Sequence, residues 1–178
     1  MLEPSRSFAA SQLGPVPTKV HVLHPGDVAL AQEGERLETL LGSCVAVILT
    51  DPRRTVGAMC HIVNAGLPRG GDRGNTAYAA NAMQAMFTRL RGVGITPTLC
   101  HAYVFGGGNM FPALFNSQHV GAANVRWVLD FLAQQRIEIL AASVGEPCYR
   151  KIGWTVGSAE LQIETVPVTP DNEPGAAE

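Results

Sequence analysis

The sequence predicts an α/β protein, a mixed-sheet sandwich with strands on both sides of two helices. Short β-branched runs recur along the chain, and two segments place apolar residues at three- and four-residue steps. A length of 178 residues with 46% hydrophobic content suits one domain with a substantial core. We expect that domain at residues 18–168, between disordered tails at residues 1–17 and 169–178 that are rich in small and polar residues and proline.

Composition excludes several classes of protein. A formal net charge of −2 gives no basic surface for nucleic acid or an anionic membrane. No apolar run approaches the roughly 18 residues that a membrane-spanning helix needs, and the N-terminus lacks a secretory pattern. The cysteines are scattered rather than spaced as a disulfide framework: Cys44, Cys60, Cys100 and Cys148. We therefore expect a cytoplasmic protein with reduced thiols, without nucleic-acid binding or membrane insertion.

The first half of the chain predicts strands and one hairpin. Val20 and Val22 begin an alternating strand, residues 28–31 favour another, and residues 36–41 lead into Gly42-Ser43-Cys44. Residues 44–50 form a β-branched run, and residues 55–63 form a second extended run. Between them, Asp51-Pro52-Arg53-Arg54 is typical of a turn.

The hairpin sets a thiol against an imidazole. If its loop is the four turn residues, Thr50 faces Thr55, and six steps back Cys44 faces His61. Directly opposed residues share a face of the sheet, with Cβ atoms about 4.5–5.5 Å apart. The spacing therefore predicts a Cys–His pair.

Two helices and further strands follow. A helix is predicted over residues 76–91, with Asn75 or Thr76 as its cap and Arg89, Arg91 and Gly92 at its end. Its apolar stripe is Ala79, Met83, Met86 and Leu90. A second helix is predicted over residues 122–135, with its apolar side at Val125, Val128, Leu129 and Leu132. Strands are predicted at residues 99–105 and 137–144, and a closing hairpin at residues 154–156 and 161–166.

Cys44 has two interpretations, a small core residue or a nucleophile activated by His61. A thiol with a pKa of about 8.5 is mostly protonated at neutral pH, and a neighbouring imidazole can take its proton. Gly42 and Ser43 let the backbone turn sharply, so nearby N–H groups can face a carbonyl as an oxyanion hole. This arrangement favours acyl transfer.

His61 has its own alternative, a core histidine bonded to a carbonyl. A catalytic imidazole needs a third group to orient it. Thr39 and Ser43 are hydroxyl candidates and Asn64 is an amide candidate, and the residues alone leave the three open.

Two other patterns invite ligand-binding interpretations. Cys60-His61 and Cys100-His101 are adjacent zinc-ligand types. Neighbours on a strand point to opposite faces, which disfavours a shared ion. Residues 106–109 form a glycine loop that lacks the lysine of a phosphate-binding loop, so a flexible loop bordering the site is the simpler interpretation.

Several segments carry a resemblance when they are taken in order. They are LLGSCVAVILTDPRR with VGAMCHIV, AYVFGGGNMF, VGAANV and RKIGW. Together they resemble the chemoreceptor glutamine deamidases (CheD) of bacterial chemotaxis over roughly residues 20–167. LGSCV, a histidine seventeen residues after the cysteine, and a later VFGG with MF are a specific combination.

The resemblance implies a Cys-His-Thr amidohydrolase that converts glutamines of methyl-accepting chemoreceptors to glutamates. It implies an α/β sandwich similar to the catalytic domains of glutamine-deamidating toxins, and a reaction without metal or organic cofactor. Cys44 matches the nucleophile, His61 the general base, and Thr39 is the nearest candidate for the orienting threonine. The expected substrate-binding residues are Ser43, Phe105, Gly106 and Gly107. Some members bind a chemotaxis phosphatase that competes with the receptor.

The chain departs from the family at residues 62–66 and 143–151, which bears on docking rather than on the Cys–His pair. One alternative function is therefore a non-catalytic chemotaxis regulator that docks to a receptor or a phosphatase. Another is a different cysteine hydrolase, such as a peptidase or transglutaminase.

Overall fold

Two β-sheets stack face to face, and two helices cover the outer side of the larger sheet, as a computed structural model shows for residues 16–68, 70 and 72–169. In that part of the chain the strands are β1 (Val20–Leu23), β2 (Val28–Gln32), β3 (Arg36–Leu41), β4 (Val45–Thr50), β5 (Val56–Ile62), β6 (His101–Gly106), β7 (Glu138–Val144), β8 (Cys148–Thr155) and β9 (Leu161–Pro167), and the helices are α1 (Ala79–Gly92) and α2 (Val120–Gln134). Apart from residues 16, 17 and 169, the predicted tails lie outside the described residues.

Both sheets are mixed, which confirms the predicted α/β class. The smaller sheet has the order β1-β3-β8-β9, with β1 and β3 parallel. The larger has the order β2-β5-β4-β6-β7, with β6 and β7 parallel. β4 lies at its centre and is buried along its whole length. One core fills the space between the sheets, and a second lies between the larger sheet and the helices.

The helices form close to the predicted positions, but the predicted cap of α1 is wrong. Tyr78 holds the cap position without a side-chain hydrogen bond. The Asn75 side chain instead accepts from the Ala77 N–H at 2.9 Å, so its local turn delays the helix. The predicted stripe is fully buried, at Ala79, Met83, Met86 and Leu90. Neither helix, within the residues that can be described, is long and apolar enough to cross a membrane.

Three later strands differ in extent from the prediction. β6 begins only at His101, because Pro97–Leu99 form a 3₁₀ turn. β7 begins at Glu138, one residue later than predicted. β8 begins at Cys148, six residues earlier than predicted. Its inward positions include Arg150, a charged residue that is fully buried and that interrupts the apolar alternation expected of a half-buried strand.

Candidate active site

The loop between β3 and β4, residues 42–44, carries Cys44. It is held by the backbone of residues 106–109 at the end of β6, which we call the glycine segment. The carbonyl oxygen of Gly42 accepts from the Gly108 N–H at 2.9 Å, and that of Cys44 accepts from the Gly107 N–H at 2.7 Å. Both bonds join main-chain groups. The Cys44 loop is therefore fixed by the glycine segment rather than by its own side chains.

The Cys44 side chain is partly buried and packs against the core between the two sheets. Burial raises the pKa of its thiol above the ordinary value, because desolvation disfavours the thiolate. The thiol is therefore protonated at neutral pH, and it needs a base before it can attack.

The predicted register of the hairpin is wrong by two residues. The structure pairs Thr50 with Gly57 and Ala46 with His61, so His61 does not lie directly opposite Cys44. Cys44 itself precedes the first residue of β4.

The side chain of Asp51 explains the longer loop. Its carboxylate accepts from the N–H groups of Thr55 at 2.8 Å and Val56 at 2.9 Å. Arg54 adopts a left-handed backbone with φ 58° and donates its N–H to the Asp51 carbonyl at 2.8 Å. The predicted turn is present, but these bonds keep Thr55 and Val56 out of the pairing between β4 and β5, which ends at Thr50 and Gly57.

A shift of two residues preserves the face of the sheet, because side chains alternate with period two. Ala46 faces the inter-sheet core, and Cys44 packs against the same core. Because Ala46 pairs with His61, Cys44 lies two residues before the residue opposite His61. Diagonal neighbours of this kind in a sheet are typically about 7–8 Å apart, within reach of long side chains. No hydrogen bond between the thiol and the imidazole is present among the described residues, as is common in unliganded enzymes.

Thr39 of β3 links the two sheets at His61. Its Oγ1 lies 2.8 Å from His61 Nδ1 and donates to the Leu23 carbonyl at 2.9 Å. Because a hydroxyl has one hydrogen and a carbonyl can only accept, Thr39 accepts from the Nδ1–H of His61. The imidazole is thus in the Nδ1–H tautomer, and Nε2 carries the free lone pair.

The electrostatics of His61 suit a base. Burial lowers the pKa of the imidazole below its ordinary value, although the Leu23 carbonyl and the charge of Asp27 oppose this shift. The neutral form therefore prevails at neutral pH. Its main chain is also fixed, since the N–H donates to Asp27 at 3.0 Å and the carbonyl accepts from Gly26 at 2.9 Å.

The residues predicted to bind substrate fall into two groups. Ser43 lines a surface groove next to Cys44. Phe105 is buried in the inter-sheet core at 1% exposure, so its side chain is not accessible to a substrate. A Cβ at Gly106 would collide with the Cys44 carbonyl oxygen, and one at Gly107 would lie 2.8 Å from the Gly121 carbonyl oxygen of α2. The two glycines support the Cys44 loop through close backbone contact.

The groove beside Ser43 was missed by sequence reasoning. It encloses about 780 Å³ and is largely apolar, with Phe111 and Phe115 among its walls. His119 and Arg126 are the ionisable residues that line it. The MF of the AYVFGGGNMF segment is the available signal, and the glycine loop of residues 106–109 is expected to border the site, but nothing in the sequence indicates that residues 110–126 line a groove with Ser43.

The side chains of Cys60 and His61 point to opposite faces of β5, as the alternation of side chains along a strand predicts. Cys60 packs on the helix side of β5, while His61 bonds to Thr39 on the other side. Burial raises the pKa of Cys60 to about 12 and that of Cys100 to about 11. Over residues 16–68, 70 and 72–169, no group of three or more His, Cys, Asp or Glu residues is arranged to hold a metal ion.

The comparisons with known proteins agree with one another. A family model described as CheD chemotactic sensory transduction matches residues 66–165. A probable chemoreceptor glutamine deamidase CheD of Pseudomonas savastanoi pv. phaseolicola is 32% identical over 157 residues, covering 86% of this chain and 89% of that protein. Proteins of the same description from Caulobacter sp. strain K31 and Bordetella petrii are 34% and 38% identical, covering 93% and 70% of this chain and 85% and 56% of their own lengths.

Proposed function

Because this chain belongs to the CheD family, we propose that it is a protein-glutamine deamidase that converts glutamines of methyl-accepting chemoreceptors to glutamates and releases ammonia. One observation carries the proposal. The Thr39 hydroxyl lies 2.8 Å from His61 Nδ1, which leaves Nε2 free on the face where Cys44 packs. The expected cytoplasmic location belongs to the same proposal.

The first step makes a carbon–sulfur bond. His61 Nε2 takes the proton of the Cys44 thiol as the sulfur attacks the side-chain amide carbon of the substrate glutamine. Thr39 accepts from Nδ1–H throughout and stabilises the imidazolium that forms. The carbonyl electrons move onto oxygen, and N–H groups of the Cys44 loop donate hydrogen bonds to that oxyanion.

The second step breaks the carbon–nitrogen bond. The Nε2–H of the His61 imidazolium protonates the departing nitrogen, and ammonia leaves. The product is a thioester between Cys44 and the former glutamine side chain, and His61 is neutral again.

Hydrolysis then completes the cycle. His61 takes a proton from water, and the hydroxide adds to the thioester carbon. The tetrahedral intermediate expels the Cys44 sulfur, which recovers a proton from His61. The net reaction consumes one water per amide and yields one glutamate and one ammonia.

Receptor docking belongs in the apolar groove that begins at Ser43. A helical receptor segment with an apolar face would cover Phe111 and Phe115 and present a glutamine at the Cys44 end. Arg126 and His119 line the same groove without a carboxylate among its walls, which favours a segment with acidic residues.

Ammonia release from a purified receptor cytoplasmic fragment tests the proposal. We expect release with the wild-type protein and none above background with Cys44→Ala or His61→Ala. Cys100→Ala is the matched control, since that thiol is buried and its raised pKa of about 11 makes it inert. Peptide cleavage or amine incorporation in place of ammonia release would indicate another cysteine hydrolase.

The alternative of a non-catalytic regulator predicts a different outcome. Its motivation is the departure at residues 143–151, where Arg150 is buried and donates to Ser143 at 3.0 Å. A regulator that docks to a receptor or a chemotaxis phosphatase would retain full chemotactic function in cells with Cys44→Ala and with His61→Ala.

A further inference from the structure

One buried amide on α2 joins the two segments that carry Cys44 and His61. Asn124 is fully buried, and its Nδ2 donates to the carbonyl oxygens of Ser43 at 3.3 Å and Val63 at 2.9 Å. Ser43 immediately precedes Cys44, and Val63 lies two residues after His61. A single side chain therefore connects the Cys44 loop to the end of the histidine strand.

The orientation of this amide follows from its partners. Both neighbours are carbonyl oxygens, so the side chain must present its NH₂ group to them and both hydrogens are used. The Asn124 Oδ1 is buried and has no partner among the described residues. Burial of an unpaired acceptor is unfavourable. The unpaired Oδ1 therefore lowers the stability of the fold, and the two hydrogen bonds of the NH₂ group are the favourable contribution of this side chain.

The bond to Ser43 also fixes the next N–H. The Ser43 carbonyl and the Cys44 N–H belong to one planar trans peptide and point in opposite directions. The Asn124 bond holds the carbonyl toward α2, so the Cys44 N–H points away from α2. The bond from Gly108 to the Gly42 carbonyl fixes the Ser43 N–H in the same way.

These two N–H groups are available to a substrate. Across the part of the chain that the structure describes, the N–H groups of Ser43 and Cys44 donate to no protein acceptor. They lie next to the thiol on a loop in which the carbonyl oxygens of residues 42–44 all accept hydrogen bonds from other segments. An oxyanion hole requires N–H groups that are fixed in this way.

We propose that Asn124 is a positioning residue that holds the Cys44 N–H in place as an oxyanion-hole donor. The inference rests on the proposed deamidase function. It explains the buried amide of the VGAANV segment, which the Cys–His–Thr chemistry does not use.

The test compares deamidation with alkylation in the same variants. Asn124→Ala frees the Ser43 carbonyl, and we expect kcat for the receptor fragment to fall about 10–100-fold, somewhat less than the roughly 10²–10³-fold loss of a whole donor. KM should stay unchanged. Alkylation of Cys44 by iodoacetamide should keep its wild-type rate, because that displacement forms no oxyanion. The other cysteines are buried, so the readout is specific to Cys44.

The matched control is Asn81→Ala on α1. Its Nδ2 also donates to a backbone carbonyl, that of Asn75 at 2.9 Å, but far from the Cys44 loop in the chain. Wild-type kcat is expected for this control. Asn124→Ser is assayed beside Asn124→Ala, so that a folded variant is available if the alanine variant unfolds, and thermal unfolding identifies the folded one.

Two outcomes overturn the inference. If alkylation falls in parallel with kcat, Asn124 merely keeps the thiol and the imidazole together. If kcat is unchanged in a folded variant, the amide has no part in the reaction. Both results require an active wild-type protein, whereas an inactive wild-type protein would count against the deamidase proposal itself.

Discussion

Burial raises the pKa of the Cys44 thiol and lowers the pKa of the His61 imidazole. Both shifts favour the neutral forms, so the resting pair is thiol and imidazole rather than thiolate and imidazolium. In the proposed mechanism, proton transfer to His61 therefore accompanies attack by the Cys44 sulfur. The Thr39 hydroxyl fixes the Nδ1–H tautomer and leaves the lone pair on Nε2, the atom that we propose as the base.

The opposed shifts predict a broad pH profile for kcat/KM. The proposed mechanism requires neutral His61, and the lowered pKa of the imidazole puts the acid limb below the ordinary histidine value of about 6.5. Activity also requires the Cys44 proton, which His61 later gives to ammonia, and its raised pKa puts the alkaline limb above the ordinary thiol value of about 8.5. Initial rates of ammonia release between pH 5 and 10 measure both limbs. A narrow optimum between those two values would contradict this picture.

Substitution of Thr39 tests the orienting hydroxyl. Thr39→Val keeps the shape but removes the acceptor for Nδ1–H, and we expect kcat to fall about 10–100-fold, which is about 1.4–2.7 kcal/mol of barrier. Thr39→Ser keeps the hydroxyl and should retain most of the activity. Steady-state kinetics with a receptor fragment provide the measurement, and equal kcat values for the two variants would exclude an orienting role.

The residues alone left this role open among Thr39, Ser43 and Asn64. The choice depends on contact between two sheets, since Thr39 lies on β3 and His61 on β5. Spacing along a hairpin carries no information about the sheet stacked on it. The resemblance to the family makes Thr39 the nearest candidate, and the 2.8 Å separation of its Oγ1 from His61 Nδ1 supports that proposal.

Among the elements, the glycine segment after β6 decides where the Cys44 loop lies. Gly106 has φ +103° and sits against the Cys44 carbonyl, and Gly107 donates to that carbonyl. Gly121 allows α2 to approach the same segment closely. The sequence predicts a flexible loop here, but the structure shows closely packed backbone. Only residues without a Cβ allow the glycine segment to lie this close to the Cys44 loop and to α2.

Gly106→Ala should therefore lower activity by more than the strain of an alanine at positive φ would by itself. Gly94→Ala is the control, because Gly94 also has positive φ, at +80°, but has open space where a Cβ would lie. We expect Gly94→Ala to cost about 1–2 kcal/mol of unfolding free energy with kcat unchanged. Gly106→Ala should cost more and lower kcat at least about tenfold, because the Cys44 carbonyl must move. Denaturant unfolding and ammonia release report the two effects, and equal behaviour of both variants would refute this role of Gly106.

Strand and helix positions were largely predictable, whereas register and caps were not. Periodicity located the stripe of α1 because it depends only on local spacing. The hairpin register depended on the Asp51 carboxylate, which adds two residues to the loop. The start of α1 depended on Asn75, which forms its own turn instead of a cap. In both cases a short polar side chain bonded to the nearby backbone and overrode the pattern.

In the whole molecule, the three layers bring three distant segments to one end of the larger sheet. The segment of β3 and the loop after it supplies Thr39 and Cys44, β5 supplies His61, and α2 supplies Asn124. The apolar groove begins at Ser43, the residue before Cys44, and these four residues are not among its walls. The fold class could be predicted from the sequence. The approach of these segments to one another could not, because it depends on how the layers pack.

A substitution in the groove tests whether receptors dock there. Phe115 lines the groove and is 47% exposed, whereas its neighbour Leu114 is 75% exposed and is not among the groove walls. We expect Phe115→Asp to raise KM for a receptor fragment about tenfold, corresponding to about 1.4 kcal/mol, because a carboxylate replaces apolar contact. Leu114→Asp should leave KM unchanged. A matched rise in KM for both variants would indicate a general charge effect rather than docking in the groove.

We propose that Cys44 converts receptor glutamine to glutamate. Peptide-resolved mass spectrometry of a receptor cytoplasmic fragment, after incubation with wild-type protein or with Cys44→Ala, measures this most directly. We predict a gain of about 1 Da at one or more glutamines with the wild-type protein and none with Cys44→Ala. The same gain with Cys44→Ala, or no gain with the wild-type protein, would contradict the claim.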